Sequence, residues 1–179
     1  MTSKTNNLVF KGLQIVAWVI FVGLCVEAGG LIVNFFFSLY NPEFIPRLYQ
    51  KLDLTEIYKG SKWAFFGIYS FVLIIAILKA YLFYLIIRLI HKMDLSKPFS
   101  TFVSRQISSL SYVTLSIGIL SYLGRQIAKN LTHYGFATDP LNPFLSDSQA
   151  FILMGAVIYI IATIFKRGVE LQSESDLTV

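Results

Sequence analysis

Charge is scarce in this chain. Only 14% of its 179 residues are Asp, Glu, Lys or Arg, where a soluble domain carries about 25%. Together with 55% hydrophobic residues and a mean hydropathy of +0.65, this excludes an ordinary soluble domain. Cysteine is nearly missing as well. Cys25 stands alone, so no disulfide forms within the chain and no cysteine-based metal site can be assembled. The two histidines, His91 and His133, flank the third apolar run on opposite sides and cannot share a metal. No GxSxG, no HExxH, no glycine-rich phosphate loop and no pair of carboxylates within an apolar run occurs, so the converging groups an enzyme needs are not in evidence. The expectation is no enzyme, no metal and no cofactor.

What is present is apolar residues in blocks. A helix crosses a bilayer with about 20 of them, and four segments meet or approach that length: 12–37, 64–90, 107–127 and 150–167. The expected fold is all-α: a polytopic membrane protein built as a four-transmembrane-helix bundle, one membrane domain over 1–179 with a tail at 168–179. The first run has a basic start (Lys4, Lys11) and a small-residue AGG, like a signal peptide. It then continues through LIVNFFF, too long for a signal core, and is read as a true span. A lipoprotein reading of Cys25 fails on Leu24, which stands where a small residue is required.

Orientation follows from Lys and Arg near the spans. One side carries Lys4, Lys11, Arg88, Lys92, Lys97, Arg105, Lys166 and Arg167; the other carries Arg47, Lys51, Lys59, Lys62, Arg125 and Lys129, with Lys79 left inside. The short basic 88–106 loop places both termini in the cytoplasm. The first outer loop predicts a short interfacial helix opening near Pro46, with Leu48, Leu52 and Leu54, or Tyr49, Leu52 and Tyr58, as its apolar side. Trp63 would anchor the next span at the headgroups. The second outer loop is rich in turn formers (Gly135, Asp139, Pro140, Asn142, Pro143) and reads as mostly irregular. Ser146 or Asp147 would cap span four, and Ser96 or Ser100 would cap span three.

Within this oily frame LCVEAGGLIV, residues 24–33, sets Glu27 deep in span one. At about 100° per residue, Gly23, Glu27, Gly30 and Asn34 share one face. Small residues favour close helix approach, and polar ones are driven towards protein. Span three carries Ser104, Ser108, Ser111, Thr114, Gly118, Ser121 and Arg125 on one long face, either a packing seam or a wet path. Span four places Gly155, Tyr159 and Ala162 together. Lys79 has only apolar helical neighbours, while another face of span two holds Tyr81, Tyr84, Arg88 and His91. An intramembrane polar cluster of Glu27, Asn34, Ser121, Arg125 and Lys79 is expected. A Glu27–Arg125 bridge is the first choice on depth and face. Lys79 is the other partner, and protonation of Glu27 the remaining outcome.

The cytoplasmic turn contains Pro98, Phe99 and Ser100, and the chain ends in IFKRGVELQSESDLTV. In this turn, and in Phe165, Gly168, Leu171, Gln172, Glu174, Asp176, Leu177 and Val179, the chain resembles the YoaS-like family, bacterial four-span membrane proteins with a domain of unknown function. The resemblance implies an inner-membrane protein encoded beside a small helix-turn-helix regulator, which it holds or senses for, with no enzymatic chemistry. The residues allow such docking. Val169, Leu171 and Leu177 alternate with Glu170, Glu174 and Asp176, a strip suited to a basic partner surface. No basic stripe of its own serves nucleic acid, so direct contact with DNA is not expected. The alternative is a small transporter or channel using Glu27, Lys79 and Arg125, which four spans would have to form as a homo-oligomer.

Overall fold

The structure, a computed structural model, describes residues 2–40, 52–93 and 99–177, with side chains described over 9–40, 52–93 and 99–174. In chain order its helices are α1 (Thr2–Tyr40), α2 (Thr55–Gly60), α3 (Lys62–Lys92), α4 (Thr101–His133), α5 (Asn142–Leu145) and α6 (Ser148–Leu177), with a 3-10 turn at Asp139–Leu141. No strand occurs among the described residues. The four long helices are each long and apolar enough to cross a membrane. The chain is therefore an all-α, multi-pass membrane protein.

The long helices run antiparallel in sequence order. Helix α3 packs on α1 and α4, and α4 packs in turn on α6. One end of the bundle, the terminal end, holds the starts of α1 and α4 and the ends of α3 and α6. The opposite, loop end holds α2, the 3-10 turn and α5. Each helix outruns the apolar segment that marks it, because hydrogen bonding continues until a cap stops it while hydropathy falls earlier. Ser61 caps α3 by accepting from the Ala64 amide at 3.3 Å, and Ser100 caps α4 by accepting from the Val103 amide at 3.3 Å. Asp147 holds the position before α6, where its carbonyl accepts from the Phe151 amide at 3.0 Å. Its φ of 64° is one that Asp tolerates better than most residues.

Helices α4 and α6 meet along small residues. A Cβ on Gly118 would lie 2.8 Å from the Ile152 backbone nitrogen, and one on Gly155 would lie 2.9 Å from the Leu115 nitrogen. The Ser111 hydroxyl donates to the Gly155 carbonyl at 3.0 Å, fully buried. Thr114 and Ser121 are fully buried on α4 as well. The hydroxyl face of this helix is thus a packing seam. Lipid-soluble helices gain little by pairing apolar side chains, so backbone approach and interhelical hydrogen bonds decide where they join.

The second outer connection is more ordered than its turn residues suggest. Pro140 and Pro143 each sit in a first helical turn, where a missing amide costs nothing. The turns aim Leu141, Phe144 and Leu145 inward, all nearly or fully buried. Leu145 fills the space beside Gly124 and Phe71. In the first connection, Pro46, Leu48 and Tyr49 lie outside the described residues. The short helix found there, α2, begins at Thr55, whose amide donates to the Asp53 carboxylate at 3.0 Å. Leu52, Leu54 and Ile57 are buried beneath it, and Tyr58 packs edge-on against Phe65 at 5.1 Å. Trp63 projects from the first turn of α3, 91% exposed, as an interfacial anchor would.

Replacing Gly118 by Val should shift the reversible unfolding midpoint of the detergent-solubilised protein downward by the equivalent of about 1–3 kcal/mol of overpacking. Gly67→Ala, on an open surface with no atom within 4 Å of the new methyl, should leave the midpoint unchanged or raise it. Equal effects of the two substitutions would remove the seam from the account.

Candidate functional site

The register of α1 against α3 decides what Glu27 meets. The Tyr69 hydroxyl donates to the Leu31 carbonyl at 3.0 Å, and the Phe35 ring lies 5.4 Å from Tyr69. Towards the terminal end, Phe21 lies 6.4 Å from Tyr84, and Gln14 reaches the His91 ring nitrogen Nδ1 at 3.5 Å. Between these points Glu27 and Lys79 open onto one small cleft, closed by Val72, Ile75, Ala76 and Phe144. Its free volume, about 10 Å³, is near the lower limit for a single water molecule. Among the described residues the two charges form no ion pair. The Lys79 ammonium instead lies 5.8 Å from the centre of the Phe151 ring, where the ring quadrupole attracts a cation.

The expected Glu27–Arg125 bridge is therefore not formed. Helix α3 stands between α1 and α4, and Arg125 is exposed on α4. Depth disagrees too. Gly124 meets Phe71, eight residues or about 12 Å along α3 from Lys79. Measuring from the start of each apolar run misplaced the two charges, since α1 begins well before its run does. Asn34 and Ser121 are both buried but neither lines the Glu27 cleft. The Ser121 hydroxyl has no hydrogen-bond partner among the described residues. It sits on α4 between Gly118, which touches Ser148 and Ile152, and Gly124, which touches Leu145. Of the five expected cluster members, only Glu27 and Lys79 share a site. Phe144 and Phe151 complete it, and the only sequence signal for Phe144 was the proline spacing ahead of it.

At the terminal end two clefts gather the polar side chains. The first, of about 600 Å³, lies between α1 and α3 and is lined by Gln14, Trp18, Tyr84, Arg88, His91 and Lys92 among others. The second, of about 320 Å³, lies between α4 and α6 and includes Ser104, Arg105, Ser108, Lys166, Val169 and Glu170. Val169 and Glu170 are thus part of the bundle wall, not of a free tail.

The turn and the chain end, separate in sequence, touch in space. Phe99 lies 5.3 Å from the Phe165 ring, and a Cβ on Gly168 would come within 2.5 Å of Phe99 Cδ1. Ser100 caps α4 beside them; Pro98 lies outside the described residues. Beyond Gly168 the chain stays helical to Leu177, with Leu171 65% exposed and Gln172 and Glu174 exposed. The backbone of Asp176 and Leu177 belongs to this helix, while their side chains lie outside the described ones.

Because Arg125 bridges nothing at Glu27, Arg125→Gln should change unfolding free energy by no more than about 0.5 kcal/mol. A buried bridge would lose about 3–5 kcal/mol on breaking. Phe144→Ala should cost about 3–5 kcal/mol, the usual penalty for emptying an aromatic site. Denaturant titration of both variants in one detergent checks the pair; a large loss in Arg125→Gln would restore the bridge.

No curated protein and no solved structure matches the chain. A family model does, over residues 49–179, described as protein of unknown function (DUF2975). The matched region contains α3, α4 and α6, both sides of the α4–α6 seam, and the contact of Phe99 with Phe165 and Gly168. On that match, which covers well over half of the sequence, the chain belongs to the DUF2975 family.

Proposed function

We propose that the protein is a membrane-embedded binding module, not an enzyme, whose helical tail docks a cytoplasmic protein of the helix-turn-helix regulator type. The observation that carries the reading is the continuation of α6 as a helix beyond Gly168, with Leu171 left exposed between acidic residues. At 1.5 Å per residue the 30 residues of α6 extend about 45 Å, longer than the roughly 30 Å hydrocarbon layer. The surplus is already helical, so a partner would not have to order it on binding. The charges of Glu174 and Asp176 favour a basic partner surface. The resemblance to the YoaS-like family supports this choice of partner and a bacterial inner membrane, and the basic 88–106 loop supports cytoplasmic termini. The chain itself contacts no nucleic acid in this reading.

A second reading draws on the shared cleft of Glu27 and Lys79. Charges held inside a membrane often mark ion paths, and a homo-oligomer could line one with these residues. It requires Glu27→Gln to abolish proton flux in liposomes while the fold persists.

Co-purification in mild detergent separates the two. The full chain should retain a small DNA-binding protein that a chain ending at Glu170 and the point variant Leu171→Glu both lose. Ending the chain after Glu170 keeps the wall of the α4–α6 cleft intact. Equal recovery from all three, or recovery from none, would sink the docking proposal.

A further inference from the structure

The cleft between α1 and α3 combines features that the tail reading does not use. Arg88, His91 and Lys92 come from the last turns of α3, and no carboxylate is among the described residues that line the cleft. Its volume of about 600 Å³ is within the usual range for a ligand site. The wall towards the membrane centre is aromatic: Trp18 lies 5.7 Å from Phe21, which stands by Tyr84, itself stacked on Tyr81 at 6.2 Å. Trp18 and Tyr84 keep 48% and 45% of their surface open. From the other side, the Arg88 guanidinium and the Lys92 ammonium each lie 5.8 Å from the centre of the Phe102 ring of α4. That contact steadies the two cations.

A ligand that fits has an anionic head, several acceptor oxygens and an apolar body. We propose that this cleft binds a phosphate group, presented by the headgroup of an anionic phospholipid. Arg88 offers a planar fork to two phosphate oxygens and Lys92 a compact second charge. Gln14 and His91, already within reach of each other, take the remaining headgroup oxygens. Trp18 and Tyr84 receive the first methylenes of the acyl chain. Two cations with no carboxylate among the described lining residues favour an anionic headgroup over a zwitterionic one. Basic pockets between transmembrane helices bind phosphorylated headgroups by the same chemistry. A bound phosphate would tie α1 to α3 at the end where Gln14–His91 is the hydrogen bond between them. A soluble phosphate compound shares this chemistry and is a separate arm of the test.

Trp18 and Trp63 are the two tryptophans, so Trp63→Phe leaves Trp18 as the reporter of this cleft. Brominated phosphatidylglycerol should quench it in mixed micelles at a far lower mole fraction than brominated phosphatidylcholine. Native mass spectrometry should show retention of phosphatidylglycerol reduced about 30-fold by R88Q/K92Q, at the usual strength of two interfacial cations. K11Q/R167Q, which removes the same charge from exposed positions outside the cleft, should retain the lipid. Relief of quenching by millimolar inorganic phosphate would assign the site to a soluble phosphate ligand. Equal quenching by the two lipids with no effect of phosphate overturns the proposal, and this arm reads the intact cleft even if R88Q/K92Q does not fold.

Discussion

The close approach of α4 to α6 is the contact on which the rest of the bundle depends. Inside a bilayer, apolar side chains are as well solvated by lipid as by one another, so helices associate where backbones can come near. Gly118 and Gly155 provide that nearness, and the buried bond from Ser111 to the Gly155 carbonyl sets the register. With one face committed to α6, helix α4 turns another to α3, and α3 in turn carries α1 through Tyr69, Phe35 and Phe21. Few polar atoms are buried without a partner along the way. The described exceptions are the Ser121 hydroxyl and the Gln106 carbonyl oxygen, both on α4.

The same seam links the two ends of the molecule. Leu141, Phe144 and Leu145 occupy space between the long helices at the loop end, so α6 starts low, with Ser148 beside Gly118. That level is about 22 Å below the end of α4 at 1.5 Å per residue. A helix that begins so far inside, and runs for 30 residues, must leave at the other end. The insertion of a loop on one side thus produces the projecting tail on the other, with Phe99 against Phe165 and Gly168 marking the exit.

Charge is handled locally. Lys79 and Glu27 share a cleft too small to hydrate either freely, and Lys79 turns to the face of Phe151. Arg88 and Lys92 lean on Phe102. Aromatic faces, plentiful at 16% of the chain, stand where carboxylates would in a soluble protein. With few acids to spare, a cation near the membrane that is held by a ring still has its full charge for an anion.

The sequence by itself determined the four spans, their helical nature, a serine cap for α4 at Ser96 or Ser100 and the small-residue faces of α4 and α6, because each follows from local hydrogen bonding and from helical period alone. The basic-aromatic face of Tyr84, Arg88 and His91 was legible for the same reason. Which faces meet was not. Glu27 and Arg125 were suited in sign and roughly in depth, yet α3 lies between their helices, and no period along one helix reports its neighbour. Phe144 closing the Glu27 cleft, Phe151 beneath Lys79, Gln14 and Trp18 completing the α3 face, and Val169 and Glu170 joining the bundle were likewise decided by the tertiary structure. Each depends on interhelical register, set by backbone contacts at a few glycines and serines far from the residues whose partners they choose.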